Sequence, residues 1–359
     1  MSRPGSGIVT PATGKNITPW RRSMISTYEF NNAEKKAIFD VLNIVGTNPY
    51  KDYINFKREV NLLILEAKVP AKFLEVCAKI KDERRLSGVN AQLLKNLPID
   101  EVVPEFDQFD PVNDKYRKKT TFIGETLLEL FSQLTGTPLL AYRTRNNGDF
   151  FHDVYADKKY ANTQTQKTDG ELYFHNDRTA HPVRADFLSL LGMRCHEQNL
   201  IYTGYLDGKD ILQGLSEKSQ YWLRQPHYIT PYDEVSRDSN ANQVNSDKHI
   251  ILENAHTFRY YDTRTTFAPD APQSAIKALL ELKVAMTKAK KERVAINTGD
   301  LFSFANQDSL HNRDIVKVID QDAAEKRWLL KTYSFRNDEA LHNYSAFFDP
   351  ILPGFVTEE

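Results

Sequence analysis

The chain has 359 residues and a formal net charge of −1, with 40% hydrophobic and 26% charged residues. That length can bury a sizeable core in one large domain or two small ones, and Lys and Arg scattered at near-zero net charge argue against a phosphate-driven nucleic-acid binder. No apolar run reaches membrane-spanning length and no signal-peptide pattern opens the chain, so no membrane association and a cytoplasmic location are expected.

Residues 1 to 20 are rich in Gly, Pro, Ser and Thr and read as a loose tail. Apolar residues at helical spacing then predict helices over about 32–43, 54–67, 70–86 and 120–134, a helical flank spanning about residues 30 to 135. Cys77 falls on the apolar face of the third of these and reads as a core thiol; with Cys195 it makes two cysteines, too few for a disulfide framework. The basic runs Lys115 to Lys119 and Lys288 to Lys291 read as solvated surfaces at helix ends. The sheet is expected to begin near Pro138–Tyr142 and the core to run over about 136–340.

Glu171 to Phe174 follows the turn-forming Thr168-Asp169-Gly170 and reads as a short strand. In extended chain, residues i and i+2 share a side, so His175 and Asp177 project together from its end and can supply two neighbouring ligands to a transition metal. Residues 226–248 are the most polar stretch, without hydrophobic period, and read as a lid or an inert surface loop. A long helix is predicted over about 273–290. The turn Asn297-Thr298-Gly299-Asp300 leads into the strand-like Leu301–Ala305, and His311 follows a short polar bend. Two histidines and one carboxylate on one face of an octahedral metal leave three positions open, the arrangement of non-haem Fe(II) oxygenases. Two of these can chelate a 2-oxo acid and the last can take O2. Such a site needs an anchor for the distal carboxylate of 2-oxoglutarate. Arg327, at the head of the β-rich run Arg327–Phe335, has the planar fork for it, with Lys331 on the same strand face as the alternative. No linker interrupts residues 30 to 336, so residues 21 to 359 are expected to form a single domain.

These residues resemble the Fe(II)/2-oxoglutarate oxygenases of the clavaminate synthase-like group, within the taurine-dioxygenase-like superfamily, and most of all the branch that hydroxylates free L-arginine and L-lysine. The resemblance is carried by Phe174-His175-Asn176-Asp177, by His181-Pro182-Val183-Arg184-Ala185-Asp186-Phe187-Leu188 just after it, by Gly299-Asp300-Leu301 through Asn306 to His311-Asn312-Arg313, and by Arg327-Trp328-Leu329. It implies an α+β fold, a distorted double-stranded β-helix or jelly roll flanked by helices, with Fe(II) and 2-oxoglutarate as cofactors and O2 as co-substrate. It further implies that Thr203 shares the 2-oxoglutarate carboxylate with Arg327 and that Asp262 binds the cationic end of a free basic amino acid. A single acid suits a compact ammonium, which favours L-lysine, with L-arginine the alternative and a protein residue a third. The α-amino and α-carboxylate groups are expected to meet the loop Asn162–Gln166, through Gln164 and Thr165, and Arg313. Because Asp177 fills the position that related halogenases leave vacant, hydroxylation is the expected outcome.

Overall fold

A computed structural model describes residues 23–240, 242 and 244–357; the expected tail at residues 1–20 lies outside the described residues. Strand β1 (Ile25–Glu29) is followed by α1 (Asn32–Leu42), α2 (Tyr53–Leu65) and α3 (Ala71–Asp82), close to the helices the periodicity predicts. Asn31 caps α1 with a reciprocal bond from Glu34, and Asp52 caps α2. The third helix ends at Asp82, four residues short of expectation, because the chain widens into a π turn at Glu83–Ser87 that Gly88 terminates at φ +61°.

The sheet begins earlier than the sequence suggests. Strand β2 (Ala91–Lys95) pairs in parallel with β1, and both belong to the larger sheet. Two helices follow, α4 (Pro111–Lys118), which the sequence reading omits, and α5 (Ile123–Thr135), then β3 (Leu139–Tyr142), β4 (His152–Tyr155) and β5 (Leu172–His175). The remaining strands of the two larger sheets are β6 (Phe187–Arg194) and β7 (Leu200–Asp207) before the long helix, and five later strands after it. Helices α6 (Gly208–Gln213) and α7 (Glu217–Leu223) lead to β8 (Tyr228–Ile229), α8 (Glu234–Ser239), β9 (Thr266–Phe267) and α9 (Gln273–Lys288). The chain closes with β10 (Glu292–Val294), β11 (Leu301–Ala305), β12 (Ser309–Lys317), α10 (Gln321–Glu325), β13 (Trp328–Ser334), α11 (Asp338–His342) and β14 (Phe355–Val356).

Eight strands form one mixed sheet in the order β1-β2-β11-β6-β13-β3-β14, with β4 added alongside β13; four form a second, β10-β7-β12-β5. The two sheets face each other through apolar rings: Tyr205 of β7 meets Phe302 and Phe304 of β11, and the same cluster takes in Leu188, Leu329 and Tyr333. The predicted turn before β11 holds because Gly299 sits at φ +83° with Leu97 O only 2.7 Å from where a Cβ would lie.

Lys115 and Lys119 are not solvated. Lys115 is buried on Asp153 (2.8 Å) and Asp149 (3.1 Å), and Lys119 on Asp100 (2.8 Å) and Glu125 (3.2 Å). Buried ammonium groups are tolerated only when paired in this way. Asp153 also accepts from Trp328 Nε1 (3.0 Å), so the helical flank is tied to the first residue of β13. Among the described residues no helix is long and apolar enough to cross a membrane.

Candidate metal centre and adjoining pockets

His311 and His175 are register partners on the neighbouring antiparallel strands β12 and β5. His311 therefore lies within a strand, as its third residue. Cross-strand partners sit close enough to touch, and the two imidazole centroids are 4.3 Å apart. Asp177 follows two residues beyond His175, and its Oδ1 lies 3.3 Å from His175 Nε2 and 3.6 Å from His311 Nε2. One potential ligand atom from each of the three residues falls within 4.8 Å of the others.

The surroundings orient these side chains. His175 Nδ1 lies 2.7 Å from Tyr173 O and must donate to it, which turns Nε2 toward Asp177. Tyr261 stacks on the His175 ring (centroids 4.7 Å) and Phe304 packs on that of His311 (5.1 Å). Burial pushes His311 down to about 4, so it is neutral and able to ligate at physiological pH. Burial alone would raise the Asp177 carboxyl, but the Lys331 ammonium and both imidazoles hold it well below the ordinary range. Asn306 clamps the Asp177 backbone from both sides: its Oδ1 accepts from Asp177 N (2.8 Å) and its Nδ2 donates to Asp177 O (3.2 Å). Asn176 likewise donates to Ser309 O and accepts from Tyr260 N, both at 2.8 Å.

Two cavities meet at His175 and Asp177. The inner one, about 480 Å³, runs between the sheets and is lined by His311, Thr203, Arg313, Arg327, Lys331 and several aliphatic side chains. Arg327 precedes β13, and alternation puts Leu329 and Lys331 on its side of the strand. Thr203 and Arg313 are register partners on β7 and β12. No carboxylate of the described residues lies within ion-pair distance of Arg327. Arg313 is occupied differently: its guanidinium donates to the carbonyls of Gln166 (3.0 Å), Gly170 (3.2 Å) and Thr168, bracing the loop before β5. Burial and neighbouring Arg327 push it down to about 9. Lys331 is also committed, to Asp177 Oδ2 (2.6 Å), Tyr333 OH (2.8 Å) and Gln166 Oε1. Of the two anchors the sequence suggests, Arg327 is the one left facing the cavity without a carboxylate.

The outer cavity, about 550 Å³, opens on the other side of His175 and Asp177. Gln164 and Thr165 border it. The Gln164 side chain is spent on Glu171 O and Tyr173 N, while its carbonyl accepts from Tyr261 and Arg264.

Asp262 is not at this site. Its carboxylate accepts from Lys283 Nζ (2.6 Å) and Tyr260 OH (2.7 Å), and it lines neither cavity. The reason is alternation: Tyr261 bridges to His175 and turns its ring onto it, so Tyr260 and Asp262 point to the opposite side. Among the described residues, the lining carboxylate outside the His-Asp-His group is Asp233, at the start of α8, which the sequence reading does not single out. It accepts from Arg145 Nη2 at 2.5 Å and caps α8 through Ser236 N (2.8 Å). Burial works against its charge, but Arg145 and Ser236 hold the Asp233 carboxyl at about 2. The stretch 226–248 is thus not a structureless insertion: β8 and α8 form there, and Thr230, Pro231, Tyr232, Asp233 and Ser236 roof the outer pocket. The only local signal was the cap pattern Asp233-Glu234-Val235-Ser236.

No protein-family model and no curated protein matches the sequence. Solved structures do. An asparagine oxygenase in complex with Fe(II), (2S,3S)-3-hydroxyasparagine and succinate superposes with a TM-score of 0.75 at 19% identity, over 92% of this chain and 98% of that one. The non-heme iron oxygenase OrfP in complex with Fe, succinate and (3R,4R)-dihydroxy-L-Arg gives 0.76 at 17%, over 92% and 99%. OrfP with Fe and alpha-ketoglutaric acid gives 0.71 at 19%, over 89% and 97%. At such low identity the shared property is the fold: this chain is built like non-heme iron oxygenases whose crystals hold iron, 2-oxoglutarate or succinate, and free amino-acid products.

Proposed function

We propose that the protein is an Fe(II)- and 2-oxoglutarate-dependent oxygenase that hydroxylates a free L-amino acid on a distorted double-stranded β-helix of two facing sheets. The carrying observation is the convergence of His175, Asp177 and His311 at the junction of two cavities, one of which ends at Arg327 and Thr203. The donor set suits Fe(II): two imidazoles and one carboxylate, clustered on one side. When bound, iron supplies the two-electron chemistry of O2 that no side chain here can perform.

The chain's own groups do the rest. Arg327 pairs with the distal carboxylate of 2-oxoglutarate, and Thr203 donates to it across the inner cavity. Lys331 and Asn306 hold the Asp177 carboxylate and backbone, and Tyr173 O sets the His175 tautomer. The roof over residues 230–236 keeps bulk water from the reacting C–H bond. Overall, one oxygen atom enters a new C–OH bond and the other the new carboxylate of succinate, with release of CO2. Two electrons come from the C–H bond and two from the decarboxylation.

The preference for lysine over arginine drew on Asp262. With that carboxylate held by Lys283 away from both cavities, the proposal is a free L-amino acid, and its side chain has to be read from the outer pocket. The test is anaerobic titration with Fe(II) and 2-oxoglutarate, followed by a screen of the twenty amino acids for succinate and a mass gain of one oxygen. Absence of Fe(II) binding in the wild type, or iron binding that survives loss of His311, overturns it.

A further inference from the structure

Behind the outer pocket a single file of hydrogen bonds joins three segments of the chain. Tyr261 N donates to Thr265 Oγ1 (2.9 Å), and the Thr265 and Thr230 hydroxyls meet at 2.9 Å. Thr230 Oγ1 then lies 2.9 Å from His249 Nε2, and His249 Nδ1 lies 2.8 Å from Ile250 O. Thr230, Thr265 and His249 are all buried.

The direction of each bond follows from the far end of the file. A carbonyl only accepts, so His249 Nδ1 carries the proton that meets Ile250 O. Burial and then Arg259 hold the ring neutral, pushed down to about 3, which leaves Nε2 an acceptor for the Thr230 hydroxyl. With its one proton spent there, Thr230 must accept from Thr265. Every link therefore has one donor and one acceptor, and none conflicts with its neighbour.

Both threonines act on groups of the site. Thr230 lines the outer pocket in its roof. Tyr261 lines the same pocket and stacks on His175, with ring centroids 4.7 Å and planes 21° apart. The backbone around Tyr261 is bonded to that of His175: Asn176 N donates to Tyr260 O and Asp262 N to Phe174 O, both at 3.0 Å. Apolar side chains of the same shape could fill this buried space without loss. A fully satisfied polar file does something they do not, which is to fix one arrangement of the groups it joins.

We propose, on the reading that His175, Asp177 and His311 hold iron, that Thr265 and Thr230 are positioning residues whose hydrogen-bond file ties the pocket roof to the Tyr261 ring stacked on His175. A change at Thr230 reaches the His175 ring through Thr265 and Tyr261, so roof and metal ligand are held by one device.

The experiment is a double-mutant cycle read by anaerobic titration with Fe(II). Thr265→Val and Thr230→Val keep the shape and remove one link each. Each is expected to weaken Fe(II) binding about tenfold, the lower end of what groups that orient a metal ligand contribute. The double variant should lose no more than about either single, because one broken link already frees the ring. Thr265→Ser, which keeps the hydroxyl, should bind Fe(II) like wild type. Urea unfolding of the metal-free proteins separates the alternative. A merely structural role lowers the unfolding midpoint and leaves Fe(II) affinity unchanged, and that result overturns the proposal. So do losses that add in the double variant, or a Thr265→Ser variant as weak as Thr265→Val. Should a valine variant not fold, the alanine variant at that position takes its place in the cycle. If the wild type itself binds no Fe(II), the oxygenase reading falls and takes this inference with it, an outcome distinct from Fe(II) binding that the variants leave intact.

Discussion

The inner cavity and the outer pocket share His175 and Asp177 but are held in place by different means. The inner one is walled by strands β5, β7, β12 and β13, whose hydrogen-bonded register fixes His311 opposite His175 and Thr203 opposite Arg313. A one-residue slip there would turn every lining side chain away from the cavity. The outer pocket is walled by the loop at residues 164–166, the turn at Asp177–His181 and the segment Thr230–Ser236, held by ion pairs such as Arg145–Asp233, Arg264–Glu234 and Lys159–Asp238. The difference is one of support: strand register fixes the inner cavity, whereas the outer pocket depends on loop-borne ion pairs.

Removing a proposed metal ligand should have the largest effect and should spare neither cavity. His311→Ala and Asp177→Asn are each expected to lower Fe(II) affinity and turnover by more than about 100-fold, beyond the roughly 10–100-fold typical of groups that only support a ligand. Titration of Fe(II) with a circular dichroism control for folding reads this out, and iron binding like that of wild type in either variant breaks the assignment.

Next in size is a change confined to the inner cavity. Arg327→Ala removes a desolvated charge-assisted pair, which costs about 2 to 4 kcal/mol. The KM for 2-oxoglutarate should rise about 30- to 1,000-fold while the amino-acid KM moves little. If Lys331→Met gives that selective rise instead, the anchor is Lys331 and its contact with Asp177 is secondary.

A pH experiment reads the roof of the outer pocket. His249 sits beneath Thr230, 2.9 Å from its hydroxyl, and burial together with Arg259 pushes it down to about 3. The unfolded chain protonates it near 6.5 and the folded one does not, so stability is fully present above about 6.5 and is lost as pH falls toward 3. At about 1.4 kcal/mol per pH unit, the step from 6.5 to 5 costs about 2 kcal/mol. Denaturant unfolding at the two pH values should show His249→Gln losing less stability over that step than wild type. Equal losses would mean that His249 is not held neutral in the fold.

The smallest effect expected is at Asp262. Its pair with Lys283 is partly exposed, so Asp262→Asn should cost about 1 kcal/mol or less and leave amino-acid kinetics within about twofold. A selective loss of lysine affinity by orders of magnitude would move the substrate reader back to this strand.

Much of the inner site was legible in the sequence. A histidine and a carboxylate two residues apart at a strand end, a histidine after a buried strand, and an arginine opening the last long strand are local patterns, and local pattern is what extended chain preserves. Asp262 misled because its neighbour Tyr261, not it, occupies the inward side; an acid near the end of a pattern carries no information about which way its strand is turned until the bridge from His175 to Tyr261 is known. Lys115 and Lys119 misled for a related reason. A basic run in an amphipathic helix looks solvated until the acids that bury it, Asp149 and Asp153 or Asp100 and Glu125, arrive from elsewhere in the chain.

The sequence by itself determined the helical flank, the strand that carries His175, the turn at Gly299 and the residue types of a two-histidine, one-carboxylate group, because helical periodicity, turn chemistry and ligand identity are properties of short segments. Tertiary structure alone decided that β1 and β2 complete the large sheet, that Lys331 belongs to Asp177, and that Asp233, Arg145 and Arg178 line one pocket. Each of those facts joins residues tens to hundreds of positions apart, and their energies depend on burial and pairing that exist only after the two sheets close on one another.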